Sequence, residues 1–301
     1  MQVNTVNAAI AADAQAFIAQ ENAAYLARVQ QAATTVAERF DGRCLVLLSG
    51  PSSSGKTTTA ATLQQLLHRQ GRETHTVSLD DFYLGRGKAP RLEDGSFDYE
   101  TVHALDLPLL KRCMDDLLQR GRAELPVFDF YSGARKKQNR PLCISEDAIV
   151  IVEGIHALHP LLEEHLTGAH FKLYINVLSK LQDKESVLLT EREMRLARRL
   201  IRDLRFRNSS FLNTMDMWRQ VVRGEDLYLF PYVHGADLTF DTTHAYEPAV
   251  LGEALVPLLQ DFPTSSPFYP TVAKVAQGLS AVTPLSASLL PPESLIREFV
   301  G

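Results

Sequence analysis

Gly50-Pro51-Ser52-Ser53-Ser54-Gly55-Lys56-Thr57 fits the pattern G-x-x-x-x-G-K-[ST]; it follows an apolar run, Cys44-Leu45-Val46-Leu47-Leu48, and precedes a stretch of helical character. Strand, glycine turn and helix in that order are the setting a phosphate-binding loop needs. The glycines permit a turn tight enough for successive amide N–H groups to face one anionic centre, Lys56 can reach the outer phosphates, and the Thr57 hydroxyl can ligate magnesium. The following helix directs its positive end at the same anion. The expected ligand is a nucleoside triphosphate held by Gly50, Ser52, Ser53, Ser54, Gly55, Lys56, Thr57 and Thr58.

Outward from this loop, short apolar runs alternate with helical stretches, the signature of a parallel sheet covered on both faces. The pattern predicts strands at 43–49, 74–79, 148–153, 171–177 and 237–241, and helices at 56–69, 101–120, 192–206, 209–222 and 246–260. Residues 7–40 lack Gly and Pro, and Ile10, Phe17, Ile18, Tyr25, Leu26 and Val29 recur at helical steps. They read as one or two helices packed beside the main domain; the same helices could form the seam of a homodimer. Residues 122–145, aromatic and then basic, suggest a β-hairpin projecting from the sheet edge. After 262 the chain turns to Pro and Ser and reads as a surface tail ending in a short helix at 293–299. The expected division is a helical extension at 1–42, an α/β domain built on the phosphate loop at 43–262 and a tail at 263–301.

Of the 301 residues 45% are hydrophobic and 22% charged, which suits a folded chain and excludes wholesale disorder. The formal net charge of -5 argues against a protein that coats nucleic acid. Cys44, Cys113 and Cys143 are too few and too irregular for a disulfide framework or a zinc site. Asp13 and Glu21 stand where a secretory segment would be uncharged, and no apolar span is long enough for a membrane. A cytoplasmic protein with no membrane partner is expected.

Three features near the carboxyl ends of strands could carry chemistry, since parallel sheets place ligands there. Asp80 follows strand 74–79 and could align an acceptor hydroxyl and take its proton; Asp81 suits a helix cap. Glu153 ends the wholly apolar strand Ile149-Val150-Ile151-Val152, the place of a carboxylate that holds magnesium beside Thr57. Residues 192–207 hold seven arginines in sixteen positions of an acidic chain. Arg195, Arg198, Arg199 and Arg202 share one side of a helix and could close over a triphosphate and neutralise transition-state charge.

Taken together these stretches resemble the uridine kinase and phosphoribulokinase family of P-loop kinases. The resemblance rests on G-P-S-S-S-G-K-T-T at 50–58, V-S-L-D-D-F-Y at 77–83, G-S-F-D-Y-E at 95–100, E-G-I-H-A-L-H-P at 153–160, R-L-A-R-R-L-I-R-D at 195–203, R-G-E-D-L-Y-L-F-P at 223–231 and L-I-R-E-F-V-G at 295–301. It implies a P-loop NTPase fold with a five-stranded parallel sheet, helices on both faces, an arginine lid helix and a β-hairpin over the acceptor site. It further implies that Asp80 is the catalytic base, that Tyr83 lines the nucleoside site, that Asp98 holds the sugar hydroxyls and that Glu153 assists magnesium. Phe128, Phe130 and Arg135 of the hairpin and Arg195 of the lid are expected at the acceptor. The family hairpin usually reads Y-D-F-x-x-H-x-R, its Tyr and His reading a pyrimidine; here Phe128 and Gly133 replace them.

The resulting expectation is an ATP- and Mg2+-dependent kinase for a nucleoside 5'-hydroxyl, uridine or cytidine first, with Lys56, Asp80, Arg195, Arg198 and Arg202 as catalytic groups. The rivals are a kinase for a sugar phosphate, with Arg135, Lys136 and Lys137 as extra cations, a kinase for a pantothenate-like alcohol, and a nucleotide-binding regulatory protein without transfer activity.

Overall fold

Strand β1 (Cys44–Ser49) is buried along its whole length, and its alternate residues enter different apolar layers: Cys44, Val46 and Leu48 face one, Leu45 and Leu47 the other. A strand covered on both faces has no reason to alternate polar with apolar, which is why its sequence reads as an unbroken apolar run. The computed structural model describes residues 1–301. The remaining strands are β2 (Thr74–Ser78), β3 (Arg122–Leu125), β4 (Phe128–Asp129), β5 (Ala134–Arg135), β6 (Arg140–Cys143), β7 (Ile149–Glu153), β8 (His170–Asn176), β9 (Leu181–Asp183), β10 (Ser186–Leu189) and β11 (Leu238–Asp241). The helices are α1 (Val3–Arg39), α2 (Lys56–Arg69), α3 (Leu107–Arg120), α4 (Pro160–Glu163), α5 (Glu191–Phe206), α6 (Phe211–Tyr228), α7 (Glu247–Leu259), α8 (Tyr269–Ser280) and α9 (Arg297–Val300).

Five strands form one parallel sheet in the order β11-β8-β1-β7-β2, the five-stranded α/β sheet expected from the sequence. The chain leaves β1 for the β2 edge, returns to β7, and then builds β8 and β11 on the other side. That reversal opens a crevice at the carboxyl end of β1, where open α/β sheets bind ligands. In register, Glu153 lies opposite both Leu48 of β1 and Ser78 of β2, so it stands between the phosphate loop and the turn that carries Asp80.

α1 is one long helix broken at Asp13, whose Oδ1 accepts a hydrogen bond from the Ala16 amide and so starts the second segment. Its buried face packs on α2, and the Tyr25 hydroxyl meets that of Thr59 at 2.9 Å. Leu26, expected on this face, is exposed. The hairpin forms in two tiers, β3 with β6 at the base and β4 with β5 at the tip.

The segment after 262 differs from its sequence reading. It contains the three-turn helix α8, and Val272, Val275, Leu279, Leu290, Leu295 and Phe299 join the same core as α1 and β1. Pro270 sits in the first turn of α8, where the missing N–H is no loss, so proline here marks a helix start. The β9–β10 hairpin has no counterpart among the strands the sequence pattern predicts.

α5 lies in the body of the fold rather than above it: every residue from Met194 to Asp203 is buried. Two of its arginines are wholly inside. Arg198 donates from Nε to Glu247 Oε1 at 3.1 Å and from Nη2 to Glu247 Oε2, and neither side chain is exposed. Removing one partner of such a pair strands a charge in apolar surroundings, whereas replacing both with apolar groups of similar volume removes the conflict. Glu247→Gln is therefore expected to lower the unfolding free energy by about 3 kcal/mol or more in urea titrations, and Arg198→Met/Glu247→Met to recover most of that loss. A single variant as stable as the parent would contradict this reading of the pair.

Candidate functional site

The loop from Gly50 to Gly55 turns with Ser53 at φ 59° and Gly55 at φ 91°. A side chain at Gly50 would put its Cβ 2.3 Å from the Ile175 carbonyl oxygen, so that position admits only glycine. Five successive loop carbonyls have donors. Lys56 Nζ donates to Gly50 O at 2.9 Å and to Pro51 O at 3.1 Å. Arg195 Nη1 donates to Ser52 O at 2.9 Å, Arg198 Nη1 to Ser53 O at 3.3 Å and Thr242 Oγ1 to Ser54 O at 2.7 Å. While these carbonyls are engaged, the amides of Ser53, Gly55, Lys56 and Thr57 carry no hydrogen bond, and the Ser53 and Ser54 hydroxyls are buried without a partner. Unpaired donors at the start of a helix form a receptor for anionic oxygen.

The loop borders a cavity of about 260 Å³ whose lining includes Lys56, Thr57, Asp80, Glu153, Arg199 and Arg202. Burial lowers the Lys56 pKa, opposed by the carboxylates of Glu153 and Asp80. Burial, reinforced by the Glu153 charge, pushes the Asp80 carboxyl up to about 6. A hydroxyl and a carboxylate on one wall are hard oxygen donors of the kind magnesium accepts when phosphate and water supply the other ligands. Thr57 and Glu153 thus fit that ion.

A second cavity, of about 510 Å³, adjoins the first and shares Tyr83 and Glu100 with it. Its walls are mainly aromatic, Tyr83, Phe97, Tyr99, Phe128 and Phe130, with Arg86 and Glu100 as the charged groups among them. The Phe128 ring lies tilted 5.8 Å from Tyr83 and edge-to-face 5.1 Å from Phe130, centroid to centroid, so the three rings form an apolar aromatic wall. The Asp81 carboxylate ties the hairpin down by accepting from the Phe128 amide at 3.0 Å.

The structure brings Lys56, Thr57, Asp80, Glu153 and Arg202 to one cavity, and Tyr83, Phe128 and Phe130 to the other. Four residues fall elsewhere than expected. Arg195 is bound at 2.6 and 2.7 Å to both oxygens of Glu225, whose side chain is fully buried and also accepts from the Ser52 amide at 3.0 Å. Arg195 and Arg198 thus lie behind the loop with their charges already matched, outside the cavity lining. Arg135 donates to Phe82 O, Tyr83 O and Asp106 Oδ2 at 2.8, 3.0 and 3.0 Å, so it braces the turn bearing Asp80 and stays outside both cavities. Asp98 is buried and engaged by Tyr228 and Arg223, and it lines neither cavity.

Other residues take those places. Arg199 donates to the Ser52 hydroxyl at 2.8 Å and, with Arg207, faces the first cavity. Arg199 belonged to the arginine pattern in the sequence, and only its partners tell it from Arg198. Glu298, three residues from the C-terminus, accepts from Thr58 Oγ1 at 2.6 Å and from the Thr58 amide at 3.4 Å, and it too lines the first cavity. No spacing in the sequence links Glu298 to a loop 240 residues away.

A sequence model of the phosphoribulokinase / uridine kinase family matches residues 45–247. Among curated proteins, the chain is 25% identical to a uridine kinase of Ureaplasma parvum over 180 residues, 59% of this chain and 77% of that protein. It is 29% identical to a uridine kinase of Mycoplasma genitalium over 178 residues, 59% of this chain and 75% of that protein. Among solved structures, a D-glycerate 3-kinase from Cryptococcus neoformans superposes with a TM-score of 0.46 and 16% identity, covering 66% of this chain and 88% of that one. No helix of the chain is long and apolar enough to cross a membrane.

Proposed function

The chain belongs to the phosphoribulokinase / uridine kinase family of kinases, and we propose that it transfers the γ-phosphate of ATP to the 5'-hydroxyl of a nucleoside, uridine or cytidine first. The observation that carries this reading is that the two cavities share walls. Asp80 stands in the phosphate-side cavity, and Tyr83 and Glu100 line both that cavity and an aromatic pocket of the right character for a nucleobase.

The unpaired loop amides and Lys56 bind the donor's phosphates, while Arg199 and Arg202 offset the charge that spreads over the transferred group. Thr57 and Glu153 hold magnesium, which when bound screens the phosphate oxygens from one another. Asp80 accepts a hydrogen bond from the acceptor hydroxyl and aims its oxygen at the γ-phosphorus. As the new O–P bond forms and the bond to the β,γ-bridging oxygen breaks, the hydroxyl proton passes to an Asp80 carboxylate oxygen and ADP departs. The transition state of such transfers is loose, so placement counts for more than base strength.

Five aromatic rings against a single cation, Arg86, favour a base over a sugar phosphate; Arg135, one of the cations the sequence offered, is occupied by backbone oxygens. The pocket's walls stack with little polar reading, and every base has a π-face. Selectivity among bases is therefore expected to be weak compared with a site built on hydrogen bonds.

Incubation with Mg-ATP and a panel of nucleosides, sugar phosphates and pantothenate tests the reading by showing which acceptor gains phosphate. Nucleoside monophosphate is expected, from several bases. Asp80→Asn should keep triphosphate affinity and reduce turnover by about a hundredfold or more, whereas Lys56→Ala should weaken both binding and turnover. Phosphorylation of sugar phosphates alone, or triphosphate binding with no transfer to any acceptor, would overturn it.

A further inference from the structure

We propose that Glu100, two residues beyond Asp98, is the group that receives the vicinal hydroxyls of the acceptor's sugar; this rests on the nucleoside-kinase reading above. Asp98 is poorly placed for that task. It is 5% exposed, one oxygen accepts from the Tyr228 hydroxyl at 2.8 Å and from Arg223 at 3.4 Å, and the other accepts from the Glu100 amide at 3.1 Å. A buried carboxylate with its oxygens engaged has little left to offer a ligand.

Glu100 is the opposite case. It lines both cavities, and its half-buried carboxylate receives no hydrogen bond. Burial raises its pKa to about 7, with Arg199 pulling the other way. A nucleoside with its base among Phe128, Phe130 and Tyr83 and its 5'-hydroxyl toward Asp80 must lay its sugar across the junction that Glu100 occupies. The two oxygens of a carboxylate can accept from two neighbouring hydroxyls at once. The backbone supports the position: a Cβ on Gly224 of α6 would lie 2.4 Å from Glu100 Cβ, so α6 presses on this side chain at a point where only glycine fits.

The test compares ribonucleosides with their 2'-deoxy counterparts on the parent enzyme, Glu100→Ala, Glu100→Gln and Asp98→Asn. Loss of a paired acceptor should cost ribonucleosides about tenfold or more in kcat/KM while changing 2'-deoxynucleosides about threefold or less, with triphosphate affinity unaltered as evidence of an intact fold. Equal losses on both substrates, or a collapse of the ribo-to-deoxy ratio in Asp98→Asn with Glu100→Ala unchanged, would overturn the assignment. A parent enzyme that phosphorylates sugars but no nucleoside would overturn the functional reading as well, and so separates the two failures.

A different observation carries a second inference. The Glu298 carboxylate sits on the amide and hydroxyl of Thr58 at the positive end of α2, the kind of place where a phosphate oxygen binds. Helix α9 is held there by Leu295 and Phe299 in the core and by Arg205 donating to Val300 O, and Leu295 packs against Gly55. The geometry points to a C-terminal latch that the triphosphate displaces as it binds. Glu298→Gln, which keeps an oxygen for Thr58 and removes the charge, is expected to bind ATP about fivefold more tightly. In the unaltered protein, hydrogen exchange over 291–301 should rise when ATP is added. Unchanged or weaker binding by the variant, or unchanged exchange, would overturn the latch.

Discussion

A phosphate loop works only if its amides face inward, and here that orientation depends on what holds its carbonyls outward. Arg195 and Arg198 take the oxygens of Ser52 and Ser53, and Thr242 takes that of Ser54. The two arginines can be buried because Glu225 and Glu247 neutralise them. Buried ion pairs are weak arguments for stability, since desolvation offsets much of their attraction. Their use here lies in geometry: they fix a strained loop, with Ser53 at positive φ, before any ligand arrives. An arginine cluster that reads as a grip on phosphate is thereby divided, with Arg195 and Arg198 shaping the loop from behind and Arg199, Arg202 and Arg207 facing the cavity.

The rest of the site follows from strand order. With β1 beside β7, and β7 beside β2, the carboxyl ends of three strands deliver the phosphate loop, Glu153 and the Asp80 turn to one place. Arg135 and Asp81 then tie the hairpin to that turn, so the aromatic wall and Asp80 are positioned together. Burial displaces the pKa values of both Asp80 and Lys56, the usual state of groups that act on a ligand.

What the sequence revealed was whatever local pattern determines. The five sheet strands lie within a residue or so of their expected positions, because strands buried on both faces leave long apolar runs, and the loop motif carries its own geometry. What stayed hidden depended on distant partners. Nothing local separates Arg198 from Arg199, since the difference is Glu247, far along the chain. Asp98 and Glu100 differ by which one Tyr228 and Arg223 engage. The proline-rich stretch after 262 concealed α8 because Pro270 can begin a helix as readily as interrupt one.

If the buried Arg–Glu pairs orient the phosphate loop, triphosphate affinity in the double variant Arg195→Met/Glu225→Met registers it most directly. Two apolar side chains of similar volume should keep stability within about 1 to 2 kcal/mol of the parent, while leaving Ser52 without the partners of its carbonyl and amide. The expected result is an intact fold with ATP affinity, followed by titration calorimetry, lowered about tenfold or more. An intact fold that binds ATP as tightly as the parent would contradict the account.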